Sequence, residues 1–167
     1  MHKVQERAVQ ELIPIRGFFR VQIVNPKEKG KPDYLAGDSG WIENQVTNEG
    51  FRAVARLIGG ISGSSQVTHA AIGTGGAPAA GDTTLTGEQS VRAAVTATTS
   101  SNSKAVVFTA TFDSAVSFVT ATKNISNIGL GATSTAGAAT IFCGAAYTSS
   151  ACATNQNVNI TYTINLA

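Results

Sequence analysis

Apolar and polar residues alternate with a period of two over long stretches of the second half of the chain. The last stretch is the most regular: Val158, Ile160, Tyr162, Ile164 and Leu166 fall on one side, with Asn159, Thr161, Thr163 and Asn165 on the other. Such alternation predicts a strand with one buried face. Val91, Ala93, Val95 and Ala97 alternate in the same way, as do Val106, Phe108, Ala110 and Phe112, and the SSNSK turn between them predicts a hairpin. Further strands are expected at Val116, Phe118 and Thr120, over Ile125 to Leu130, and over Ala138 to Tyr147. Earlier in the chain, Phe19, Val21 and Ile23 alternate with Arg20 and Gln22 within Gly17 to Asn25, and Pro26 ends the run. Val67 to Ile72 reads as a short buried strand stopped by Gly73, Gly75, Gly76, Pro78 and Gly81, with a turn opened by Asp82. Eight or nine strands follow from these runs.

Two segments carry a helical period instead. From Thr47 to Ile58, Thr47 has the chemistry of an N-cap, Val46 and Phe51 stand at staple positions, and Glu49 lies in the first turn. Phe51, Val54, Ala55 and Ile58 are expected to form the inward stripe, and Gly59-Gly60 stops the helix. Residues 1–13 place Val4, Ala8, Val9, Leu12 and Ile13 at helical spacing and end at Pro14. So short a helix is marginal alone, so it packs on its own domain or orders on a neighbour. The expected organisation is an N-terminal arm over residues 1–16 and a single mainly-β domain over 17–167. A β-sandwich with one short helix is the natural architecture, with a jelly roll as the candidate topology.

Charge divides this fold into two chemistries. Residues 1–60 hold nine of the 12 Lys and Arg and seven of the 10 Asp and Glu, leaving three of each sign for everything later. The later half presents Ser, Thr, Asn, Gly and Ala instead, a composition suited to stiff β-structure. A net charge of +2 gives no footprint for nucleic acid or anionic membrane. With no uninterrupted apolar run, neither a secretory signal nor a membrane span is expected, and synthesis in the cytoplasm follows. The PKEKGKPDY stretch, with Lys27, Lys29 and Lys31, is expected as an exposed loop. Trp41, the only tryptophan, is expected in the core between Ile42 and Val46 or at an interface.

Candidate chemistry is sparse. The GDSG string at Gly37–Gly40 has the letters of a serine-protease nucleophile segment, but Trp41 follows it, and His69 and Asp82 come after Ser39 instead of before it. A tight turn accounts for it. In the IGTGGAP loop, position 78 is Pro, no helix pattern follows, and no Lys is present, so neither dinucleotide nor P-loop phosphate binding is expected. The two histidines, His2 and His69, form no metal-ligand motif. Cys143 and Cys152 flank a Tyr-Thr-Ser-Ser stretch and are a candidate disulfide if the flanking segments pair. No catalytic, metal or cofactor residue is assigned, no cofactor is expected, and no enzyme activity is expected.

The segments WIENQVTNEGFRAVARLIGG, THAAIGTGG and DTTLTGE, then Arg92, the Phe108 to Phe112 strand, NISNIGLG and a terminal INLA occur in an order that resembles small structural proteins of tailed bacteriophages. The resemblance spans residues 41–167 and leaves the first forty outside it. It implies a β-rich, non-catalytic virion subunit working as a symmetric oligomer, with a trimer favoured. The expected role is capsid decoration, or cement, in which the subunit binds the major capsid protein on the mature head; nucleic acid and membrane are not expected partners. Val4, Val9, Leu12, Arg16, Arg20, Lys27, Lys29, Lys31 and Trp41 are the candidate contacts to shell or neighbour. A tail component of tube, tip or collar is the alternative. A carbohydrate- or receptor-binding module is another, with Tyr34, Trp41 and Tyr147 as its candidate aromatics.

Overall fold

The computed structural model describes residues 14–26, 33–63 and 65–166. The expected arm contacts Val4, Val9 and Leu12 and the loop residues Lys27, Lys29 and Lys31 lie outside the described residues. Two antiparallel sheets face each other. In the first, β1 (Ile15–Asn25) pairs with β11 (Asn157–Leu166), which pairs with β8 (Ala105–Phe112) and then β7 (Thr96–Thr98); β2 (Tyr34–Asp38) and β3 (Ile42–Glu43) lie on the other flank of β1. The second runs β4 (Gln45–Val46), β10 (Ile141–Cys152), β9 (Lys123–Gly131), β5 (His69–Gly73) and β6 (Ala93–Ala94). Helix α1 (Asn48–Ile58) packs on β10.

The sandwich core comes from the alternation. Phe19, Val21 and Ile23 meet Val158, Ile160 and Tyr162 and then Phe108, Ala110 and Phe112 across one inner face; Ile72, Ile125, Ile128 and Leu130 answer from the other. Phe19 lies between the rings of Tyr162 and Tyr147, each at 5.9 Å. Because the period is two, the same strands put Arg20, Thr161, Thr109 and Thr96 on one outer rung and Gln22, Asn159 and Thr111 on the next. The outer face of the first sheet is thus a field of hydroxyls and amides.

The outer face of the second sheet is covered instead. Residues 74–88 fold across it, burying Leu85 against Ala71 and Ile141. Asn127, fully buried, donates Nδ2 hydrogen bonds to the carbonyls of Gly76 and Thr86 at 3.0 Å each. A Cβ at Gly75 would stand 2.5 Å from the Thr86 carbonyl, so only glycine allows this closeness. Behind the loop, Glu88 and Arg92 form a buried ion pair at 2.6 Å, and the Arg92 guanidinium also bonds Thr140 Oγ1 and the Thr133 and Ala138 carbonyls. All its donors are engaged, so a charge that is costly to bury holds three segments together.

Several expectations are corrected. Ile15 and Arg16, expected in the arm, belong to β1. The stretch from Val91 to Thr98 is not one strand: β6 pairs with β5 in the second sheet and β7 pairs with β8 in the first, so the chain changes sheets at Val95. No strand forms at Val116 to Thr120. Asp113 caps a 3-10 turn over Ser114–Val116, and Ser117 at φ 52° breaks the extended path while Phe118 and Val119 enter the core. Counting the short pieces, there are eleven strands among the described residues.

The candidate disulfide is also overturned. Cys143 and Cys152 are free, buried, and on one continuous strand, β10, instead of on two strands joined by a turn. Nine residue steps of strand, even with the irregularity between Ala146 and Ser150, separate the thiols by roughly 20–30 Å. That is far outside bridging distance.

Candidate interaction surface

The described surface holds nine large hydrophobic side chains well exposed, and their placement is uneven. Tyr34, Leu35, Trp41, Phe51, Leu57 and Ile58 fall within the first sixty residues, and Ile61 follows directly; only Val116 and Leu166 come from elsewhere. The seven gather in two regions, β2 with the turn after it, and α1 with the residue pair that ends it and Ile61.

At β2 the chain is fixed by the GDSG residues. Arg20 on β1 donates from Nε to the Asp38 carboxylate at 2.9 and 3.1 Å, and its Nη2 closes the ion pair. Gln22 Nε2 and the Gly40 amide donate to the same carboxylate. These bonds, led by Arg20, hold the Asp38 carboxyl well below the usual carboxylate range. Ser39 Oγ accepts from the Val21 amide at 2.9 Å and donates to the Gly40 carbonyl, so this serine is part of a turn. The turn leaves Trp41 55% exposed, so of its two expected places the core is excluded. Of the two candidate cationic contacts described here, Arg16 is exposed, while Arg20 is tied to Asp38. Tyr34 is exposed at the far end of β2, but Tyr147 is buried against Phe19 and is removed from any aromatic binding surface.

At α1 the local sequence sets the helix firmly in place. The Thr47 hydroxyl accepts from the Gly50 amide at 3.1 Å and lies within hydrogen-bond reach of the Ile141 and Phe142 carbonyls. The Asn48 amide bonds the Ala80 carbonyl, linking the helix start to the covering loop. A Cβ at Gly50 would collide with the Phe142 carbonyl oxygen, so the first turn lies directly on β10. Glu49, in that turn, pairs with Arg56 at 2.9 Å and Arg52 at 3.5 Å.

This anchoring rotates the helix away from the expected stripe. Gly50 is buried and Ala53 and Val54 are half-buried, whereas Phe51 is 48% and Ile58 83% exposed and Ala55 also faces out. Gly50, Ala53, Val54 and Leu57 share one face at i, i+3, i+4 and i+7, a pattern that competes with the more hydrophobic one. Glycine carries no hydrophobic signal, and the close approach it permits is visible only once β10 is in place. The remaining stripe of Phe51, Ala55 and Ile58 is therefore apolar and outward.

Beside α1 a groove of about 280 Å³ opens between the helix and the ends of β7, β8 and β11. Its walls are nearly all apolar, with Val54, Leu57, Val67, Val106, Phe108 and Ile164 among them and Leu166 at its lip. Sequence patterning assigns all of these residues except Leu57 to a core and gives no sign that the core is open here.

Neither cysteine is set up as a nucleophile. Burial pushes the Cys143 thiol up to about 12 and Cys152 up to about 11. Both thiols are held in the unreactive protonated form. The Asn44 amide and the Tyr162 hydroxyl are buried without a hydrogen-bond partner. His69 Nδ1 lies 2.9 Å from Thr68 Oγ1. Among the described residues no three His, Cys, Asp or Glu side chains group to hold a metal ion, and no helix is long and apolar enough to cross a membrane. No protein-family model, no curated protein and no solved structure matches the chain significantly.

Proposed function

We propose that this chain is a virion structural protein of a tailed bacteriophage, a decoration protein that binds the major capsid protein on the mature head as a homotrimer and stabilises the shell. One observation carries the reading: seven of the nine exposed large hydrophobics lie in or beside the first sixty residues, the same stretch that holds most of the charge. A surface with mixed apolar and charged groups at two places suits a subunit that meets more than one neighbour. The neutral hydroxyl face of the first sheet then turns to solvent. Apolar burial at each contact opposes the internal pressure on the shell, and symmetric repetition turns weak contacts into firm ones. The order of the segments from Trp41 to Ala167 supports the same assignment through its resemblance to phage structural proteins.

Binding to heads that lack this chain tests the proposal. Purified protein should cosediment with them saturably, and Phe51→Ser with Ile58→Ser should reduce occupancy while leaving the sandwich folded. Replacing Arg16, Arg20, Lys27, Lys29 and Lys31 by Ser should make binding weaker and less sensitive to salt. Equal occupancy for wild type and variants at all salt concentrations would defeat the assignment of the face. Binding to tails alone would move the subunit to the tail.

A further inference from the structure

We infer that the outward stripe of α1 on one copy of this chain seats in the apolar groove beside α1 on another copy. Ridge and groove lie side by side at one end of the sandwich. Phe51, Ala55 and Ile58 form the ridge, and the Ile61 amide bonds the Arg56 carbonyl at 3.0 Å, which holds Ile61 beside the helix end. Leu57, next to the ridge, is already a wall of the groove, and Leu166 stands at its lip. The apolar surface is thus continuous from the convex helix into the concave gap.

Size, shape and charge each favour a like copy. Phe51, Leu57, Ile58, Ile61 and Leu166 together expose on the order of 500 Å², near the top of the range for the largest patch on a monomer. A standard interface takes about 800 Å² from each partner, roughly two-thirds of it apolar between like subunits, so the patch supplies the apolar share of one interface. From Phe51 to Ile58 the ridge runs about 10 Å along the helix. From β7 across β8 to β11 the groove spans two strand spacings, also about 10 Å. An unrelated partner would answer one of these shapes; a second copy brings a groove for the ridge and a ridge for the groove. Glu49 answers Arg52 and Arg56 within the helix, and a net charge of +2 sets little repulsion between copies. The contact supplies the subunit interface that the proposed trimer requires, and it rests on that reading only for the number three, because the rotation between copies decides whether such a contact closes as a pair or a ring.

Sedimentation of the full-length chain, with no heads present, tests the contact apart from the head assignment. The chain should be a trimer at micromolar concentration. Ile58→Glu on the ridge and Ala97→Glu in the groove wall, both at exposed positions, should each weaken association at least about tenfold. Val116→Glu, beyond the other end of β8, should leave association unchanged. A monomer at every concentration, or association that Ile58→Glu and Ala97→Glu leave intact, would overturn the contact. A dimer with the same two sensitivities would keep the contact and overturn the three-fold arrangement. Cross-linking then shows what the ridge meets. An Ile58→Cys chain is mixed with an Ala97→Cys chain of different mass and treated with a short bismaleimide. Cys143 and Cys152 are buried, so each chain carries one accessible thiol and no link forms within a copy. Unlike pairs should dominate; like pairs in equal or greater number would overturn the inference by placing ridge on ridge or groove on groove. Leu166→Cys, at the lip, replaces Ala97→Cys should that chain fail to fold.

Discussion

Residues 15–60 and residues 65–166 both contribute strands to one sandwich, yet they use their charges in opposite ways. In the later region five of the six ionic groups are structural: Glu88 and Arg92 pair out of solvent, Asp82 accepts from the Ala79 amide, Asp113 caps a turn, and Lys123 reaches Gln89, leaving the exposed Lys104. In the earlier region the ion pairs Arg20–Asp38 and Glu49–Arg56 are at the surface, beside Trp41, Phe51 and Ile58. The later region encloses its large apolar side chains almost completely; the earlier one leaves six of its own in the open. A fold gains nothing from exposing them, and the proposed shell contact would give them a role.

The largest expected effect is at Arg92. Arg92→Met should destabilise the fold by about 3–5 kcal/mol, because Glu88 would remain buried without its partner. Urea denaturation measures this, and a change below about 1 kcal/mol would show that the later charges are no more structural than ordinary surface ones. Next in size is the seat of α1. Thr47→Ala removes the N-cap acceptor and its links to β10 and should cost about 1–2 kcal/mol by the same measurement.

Smaller effects sharpen the other side. The Asp38 carboxyl is depressed by Arg20, so its contribution is complete above the ordinary carboxylate range near ~4 and drains away as pH falls below it. Asp38→Asn should flatten that part of the stability profile between neutral and acid pH and leave the alkaline side unchanged. Phe51→Ser with Ile58→Ser should change stability by less than about 0.5 kcal/mol despite removing two large hydrophobics, since neither is enclosed. A loss of several kcal/mol would place them in the core after all. Finally, reducing agent should leave the melting temperature unchanged, with both thiols alkylated only after unfolding; a shift on reduction would contradict the free pair.

How far the sequence disclosed this follows from what each signal depends on. Strands β1, β8 and β11 were legible because alternation with large side chains needs only the pleat, and the inner and outer rungs fall as the letters indicate. The change of sheet at Val95 was hidden, since a strand that crosses between sheets keeps its alternation. Cys143 and Cys152 misled because the TSS stretch between them has turn-forming residues yet continues β10 as an edge. For the surface, the charged first sixty residues were evident, whereas the outward face of α1 was not. Its orientation is decided by Gly50 lying against the Phe142 carbonyl, a contact between residues 92 positions apart in sequence.

The proposed decoration role is decided by the copy number of this chain in purified virions, read by mass spectrometry against the major capsid protein. A decoration protein gives a count that scales with the capsid lattice, in near-stoichiometric proportion to the sites on the shell. A count limited to a few rings, or one that follows tail length, would contradict it.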